Sequence, residues 1–193
     1  MNLKAAASFI KEKLEIELPA ELTYHNLEHT LDVTNAALIL AHEEGITDQH
    51  SLDLLATAAL FHDLGFITAY DGHEAAGCIL AKAKLPTLEY SSSEIDQICE
   101  MIMATRMPQS PKNHLEQILC DADLDYLGRE DYPKIAQNLF QEWMLTKRID
   151  DPAQWNRIQF DFLRNHHYWT ATSKKKRDHM KLENQEKLKA SSI

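Results

Sequence analysis

Three short stretches carry side chains that could do chemistry together: YHNLEHT at 24–30, FHDLG at 61–65 and CDADLDYLG at 120–128. Taken singly, each has an ordinary explanation, because histidines cap helices and acidic runs face water. Helical geometry makes them more pointed. At about 100° per residue, Asp63 falls in the middle of the apolar face drawn by Leu52, Leu55, Ala56 and Ala59, with His62 on its flank. A carboxylate aimed into a core is costly unless it is paired, hydrogen-bonded or holding a metal. His29 shares a stripe with Val33, Ala36 and Leu40. In the third stretch the core stripe is Leu115, Ile118, Leu119, Ala122 and Tyr126. Asp123 lies about 80° from its centre and Asp121 about 120° away on the other side, so Asp123 is better placed to point inward, although Asp125 also flanks the stripe. Two imidazoles and two carboxylates suit one divalent transition metal such as Mn, Fe, Co, Ni or Zn.

The elements that must position these groups read as helices almost throughout. The spacing predicts a first helix over 3–16, ended by Leu18-Pro19. The next carries two apolar stripes, Leu27/Leu31/Thr34/Leu38 and His29/Val33/Ala36/Leu40, which predicts a central helix packed on both sides. Thr47 and Asp48 can cap SLDLLATAALFHDLG, which stops near Gly65. Gly72 precedes HEAAGCILAKAKL, and Pro86 closes it. Ser91 and Glu94 have capping-box spacing ahead of IDQICEMIMAT. Ser110-Pro111 reads as N-cap and first helical residue before HLEQILCDADLDYLG, with Gly128 as the stop, and Asp151-Pro152 repeats the signal before AQWNRIQFDFLRNHHYW. From Lys174 the chain is charged, helical in pattern and poorly anchored. The expected organisation is an all-α domain over 1–170 with a charged helical tail at 171–193.

The order H…HD…D resembles the HD superfamily of metal-dependent phosphohydrolases, which are helical bundles binding metal through these four side chains. Tyr24-His25-Asn26-x-x-His29-Thr30-x-x-Val33, with the segments MATRM (103–107) and CDADL (120–124), is similar to stretches of the class I cyclic-nucleotide phosphodiesterases. The resemblance implies metal ligands at His29, His62, Asp63 and Asp123, with Asp63 counted also among the catalytic groups. It implies that His25 lies beside the metal as the general acid. His73-Glu74 partly resembles a phosphodiesterase histidine position that touches substrate or a bridging water. Arg106 is a candidate phosphate clamp. The chain departs from the pattern after the dyad, where Leu64-Gly65-Phe66 supplies no further histidine, and at Thr105-Arg106, where many two-metal members have one. Both departures point to one metal, or to a weak second one.

Composition narrows the function. With 20 Lys/Arg against 30 Asp/Glu the chain carries −10, unevenly: Ser173–Ile193 holds seven basic and three acidic residues, so residues 1–172 carry about −14. An acidic body argues against binding a nucleic-acid polymer, and it needs a cation before it can admit a phosphate. Cys78, Cys99 and Cys120 sit singly in apolar contexts with no CxxC, as reduced buried thiols of a cytoplasmic protein do. No glycine-rich phosphate loop is present, and no window suits a signal peptide or membrane span. His166 and His167 could be ligands, but aromatic packing of a docking helix suits FLRNHHYW better, and the SKKKRD run suits a solvated face. The expected function is metal-dependent hydrolysis of a small phosphorylated substrate, a nucleotide, by activated water. The alternatives are a cyclic-nucleotide phosphodiesterase proper and a noncatalytic HD module that binds a nucleotide or protein partner. A tail of this kind could also pack on a second subunit in a homo-oligomer.

Overall fold

A computed structural model describes residues 1–190. Its α-helices run in the order α1 (Leu3–Glu17), α2 (Leu27–Glu43), α3 (Gln49–Phe61), α4 (His73–Lys84), α5 (Ser92–Ala104), α6 (His114–Asp123), α7 (Tyr132–Leu145), α8 (Ala153–Asn165) and α9 (Ala171–Ala190), with 3-10 turns at Leu64–Ile67, Leu85–Leu88 and Asp125–Gly128. No strand occurs among the described residues, and the chain is all-α as expected. No described helix is long and apolar enough to cross a membrane.

The central helix is α3 rather than α2. Every α3 residue from Leu54 to Phe61 is buried, because LLATAALF is apolar on all sides. Its one polar member in that run, Thr57, donates to the Asp53 carbonyl and bonds the Tyr90 hydroxyl at 2.8 Å. α2 buries only the face of His29, Thr30, Val33, Ala37, Leu40 and Ala41, while Leu31 of its other stripe is 51% exposed. α2 packs against α3 and α6, α3 also against α1 and α5, and these helices share the main core.

Local signals place most boundaries. Asp48 caps α3 through Ser51 N–H, and the Ser91/Glu94 capping box opens α5. Several boundaries move. α3 ends at Phe61 rather than near Gly65, and α6 at Asp123 rather than Gly128, each passing into a 3-10 turn. α6 starts after Asn113, whose side chain accepts from Glu116 N–H, so Ser110-Pro111 belongs to the preceding loop. α8 ends at Asn165, and His166–Trp169 run on outside it, with Tyr168 fully buried. α7 was announced by no cap that the sequence reading used, although Pro133 sits in its first turn as helix starts favour. Tyr132 and Ala136 of α7 and Leu163 of α8 join Tyr24, Leu124, Tyr126 and Leu127 in a second, smaller core.

The basic tail is anchored, contrary to expectation. α9 lies along the Asp125–Gly128 turn and α8. Arg177 makes paired bonds to Asp125 at 2.6 and 2.9 Å, and buried Asn184 donates to the carbonyls of Leu127 and Arg129. Lys176 pairs with Glu43. Gly128 is required here, since a Cβ would come within 2.5 Å of the Arg177 backbone. The tail's positive charge therefore meets the acidic body. The last three residues of the expected tail lie outside the described residues.

Candidate metal centre

The HD dyad sits where α3 gives way to the 3-10 turn. α3 ends at Phe61, and Asp63 (φ −103°, ψ 2°) leaves the helical path, yet His62 and Asp63 are both buried, as the helical-face argument required. α2 brings His29 from one side and the end of α6 brings Asp123 from another. His29 Nε2 lies 3.4 Å from Asp63 Oδ2 and 3.3 Å from Asp123 Oδ1; His62 Nε2 lies 3.1 and 3.4 Å from the same two oxygens. Despite these separations, His29 Nε2, His62 Nε2 and Asp63 Oδ2 are buried with no hydrogen-bond partner. His29 Nε2, His62 Nε2 and Asp123 Oδ1 lie within 4.8 Å of one another, with Asp63 Oδ2 beside both imidazoles. Ligand atoms about 2.0–2.2 Å from one cation are spaced in this way. His62 Nδ1 is 2.7 Å from the Ala59 carbonyl, which fixes Nδ1 as the protonated nitrogen and turns the Nε2 lone pair to the cluster.

The electrostatics agree. Burial pulls the imidazoles of His29 and His62 down, but the neighbouring carboxylates outweigh it and both are raised. Burial pushes Asp63 and Asp123 up, but the two imidazoles hold both below the usual carboxylate range. A cluster that can only compensate itself by drawing in protons can do the same with one cation. His29, His62 and Asp123 form the group of donors, among the described residues, that converges closely enough to hold a metal ion.

The third stretch divides its labour. Asp123 turns to the cluster. Asp121 is 1% exposed and accepts from Trp169 N–H, Thr170 N–H and the Thr170 hydroxyl at 2.7–2.9 Å, fastening the start of α9. Asp125 holds Arg177.

His25 and His73 stand beside the cluster and are linked by Phe66. The Phe66 ring stacks on His25 (4.2 Å, 26°) and on His73 (3.9 Å, 18°). His73 Nδ1 is 3.1 Å from the Tyr70 carbonyl and its Nε2 is 3.4 Å from Asp63 Oδ1. The close approach of α4 depends on Gly65, where a Cβ would meet the His73 carbonyl oxygen at 1.8 Å. Arg106 is exposed at the wall of the same chamber. His166 and His167 do not join: they lie edge-on to Tyr168 and Trp169.

Glu142 of α7 is the residue that sequence reasoning missed. It is completely buried and accepts from the backbone N–H groups of Tyr24 (2.9 Å) and His25 (3.0 Å) and from the Tyr70 hydroxyl (2.7 Å), and Oε1 meets His25 Nδ1. The signal existed, because Glu142 lies on the helical stripe of Ile135 and Leu139 and is thus a carboxylate on an apolar face, like Asp63. With Nδ1 engaged, Nε2 is the His25 nitrogen left for the chamber that His25 lines.

The HD domain family model matches residues 26–125. A Clostridium beijerinckii protein described as uncharacterized is 27% identical over 118 residues, which cover 60% of this chain and 73% of that protein. Two crystal structures share the fold. One is a protein from an uncultured Thermotogales bacterium described as a predicted HD superfamily hydrolase, with TM-score 0.62, 23% identity and 98% and 92% of the two chains covered. The other is a Lactobacillus plantarum protein with TM-score 0.69, 18% identity and 98% and 96% coverage.

Proposed function

Because this chain belongs to the HD domain family, we propose that it is a metal-dependent hydrolase of phosphoesters whose substrate is a nucleotide. The observation that carries the reading is the set of buried, partnerless atoms, His29 Nε2, His62 Nε2 and Asp63 Oδ2, converging beside Asp123 Oδ1. Leaving such groups uncompensated would cost several kcal/mol on the order of 1–3 each, so a cation at their meeting point accounts for them. When bound, a divalent metal supplies Lewis acidity toward a phosphoryl oxygen and acidifies water at the same centre.

The chain's own residues do the rest. His25 is the proton donor: Glu142 accepts from Nδ1–H and fixes the ring, so that Nε2 faces the chamber and can pass its proton to the departing alkoxide. Phe66 keeps the His25 and His73 rings parallel to its own, limiting their rotation. His73 and Arg106, which both line the chamber, offer donors to phosphate oxygens. The His25–Glu142 pair favours catalysis over a module that only binds, since binding requires no imidazole polarised by a buried carboxylate.

The test is metal analysis of the purified chain, followed by a nucleotide panel with added Mn, Co or Ni. The expected result is one metal per chain and metal-dependent phosphate release, both lost in Asp63→Ala. A wild-type chain that carries the metal and hydrolyses nothing in the panel overturns the reading.

A further inference from the structure

We propose that the substrate carries a single phosphoryl group and, beyond it, an aromatic ring system that seats against the wall formed by α7 and α8; a nucleoside monophosphate has this chemistry. The proposal deepens the hydrolase reading and rests on it. Two independent features of the chamber carry it: its shape and its charge.

The chamber has a volume of about 670 Å³ and runs from Asp63, Asp123 and His25 at one end to α7 and α8 at the other. A phosphate fills only a corner of such a space, which is the size that encloses a whole drug-sized ligand. The far wall consists of Leu139, Trp143, Trp155, Ile158 and Phe162. Trp155 is buried and meets Trp143 edge-to-face at 5.5 Å and 72°, which fixes the Trp143 indole while leaving it half-buried beside the chamber. Fixed indole and phenyl faces are platforms for a planar ring, because stacking needs a preset orientation on one side.

The charge is as selective. Arg106 is the one lysine or arginine, among the described residues, that lines the chamber, against Asp63, Asp71, Glu74 and Asp123. Asp71 is answered by Arg148, which stacks on the Tyr70 ring at 3.6 Å. One phosphoryl group can be met by the cation of the cluster, by Arg106 and by His25. A second or third phosphate would have only the His73 imidazole left to receive it in a space lined by Asp63, Asp71, Glu74 and Asp123, with no lysine or second arginine among the described lining residues, inside a chain of net charge −10. In the reaction, the oxygen of water bonds to phosphorus and the phosphorus–ester oxygen bond breaks. The ester oxygen leaves with the electron pair and takes a proton from His25 Nε2, while the protons of the attacking water stay with the phosphate formed, which returns one to His25. The products are the free alcohol, here a nucleoside, and inorganic phosphate.

The experiment compares kcat/KM for the 5′-mono-, di- and triphosphates of one nucleoside, for ribose 5-phosphate and for octyl phosphate, all with Mn²⁺. It is paired with quenching of tryptophan emission by the free nucleoside and by ribose. The monophosphate should exceed the triphosphate and ribose 5-phosphate by about tenfold or more each, the scale of one stacked ring or one unanswered charge. The nucleoside should quench and ribose should not. Trp143→Leu should narrow the preference over ribose 5-phosphate to about threefold, chiefly through KM, with quenching reduced in parallel. Equal or better use of the triphosphate, of ribose 5-phosphate or of octyl phosphate overturns the proposal. If no ester is hydrolysed, the hydrolase reading fails, and the quenching separately decides the ring site: absent or nonselective quenching overturns that too.

Discussion

Glu142 Oε1 lies 2.5 Å from His25 Nδ1. The contact joins two residues 117 positions apart, one in the loop before α2 and one in α7. Burial pushes the Glu142 carboxyl up, but the hydrogen bond and charge of His25, with the Tyr70 hydroxyl, hold it below the usual range, so it stays ionised. One carboxylate of α7 thus holds both the backbone and the ring of His25.

Glu142→Gln should lower kcat by about 10- to 100-fold for substrates with alkoxide leaving groups, the range that acid catalysis supplies. For a p-nitrophenyl ester, whose leaving group needs little protonation, the loss should stay within about threefold. Metal content should not change. A uniform loss across leaving groups would show that Glu142 only supports the fold.

Asp121 and Asp123 are two residues apart and should fail in different ways. Asp123→Ala removes a converging oxygen, and should abolish the rise in melting temperature on adding metal, a rise worth about 2.7 kcal/mol at a metal concentration 100 times Kd. Asp121→Ala should keep that response while costing about 2–4 kcal/mol in urea unfolding, because the Trp169 and Thr170 donors lose their buried acceptor. If Asp121→Ala lost the metal response and Asp123→Ala kept it, the assignment would be reversed.

The cluster was legible because Asp63 falls within an apolar face, His29 shares an apolar stripe and Asp123 lies nearer its helix's stripe than Asp121 does, and polar groups are costly there. Glu142 breaks α7's face equally, but that helix is announced only by Pro133, so its signal has no frame. The tail was misread for a different reason. α9 is held by Arg177, Lys181 and Asn184 through carbonyls and carboxylates, and polar anchoring of that kind leaves no hydrophobic stripe. At α6, Ser110 and Asn113 are both competent caps, and only the loop's path decides between them. The central position of α3 shows in its unbroken apolar composition more plainly than in any period.

Gly65→Ala should disturb the site without removing any polar side chain. A Cβ there would lie 1.8 Å from the His73 carbonyl and 2.6 Å from the Gly77 nitrogen, both backbone atoms that cannot rotate away. The 3-10 turn and α4 must part, at a cost of about 1–3 kcal/mol or more. As His73 moves from Asp63, KM for the phosphate substrate should rise more than kcat falls. An unchanged urea midpoint would contradict the contact.

His166 should make the fold sensitive to mild acid. Burial, then the charge of Lys181, press its imidazole down from the ordinary value to about 3. Its Nε2 has no partner, and Lys181 donates to its backbone carbonyl at 2.8 Å, so a second positive charge has no place there. The folded chain therefore keeps this imidazole neutral while the unfolded chain protonates it near pH 6.5. Stability is then full above that value and falls as the pH drops toward about 3, because the unfolded state binds the extra proton. The contribution is about 1.4 kcal/mol per pH unit below about pH 6.5. His166→Phe keeps a ring against Phe162 and Tyr168 and removes the titration. Between pH 7.5 and 5.0 the variant should lose about 2 kcal/mol less than wild type in urea unfolding. Parallel losses in the two proteins would show that His166 is protonated without penalty in the folded chain.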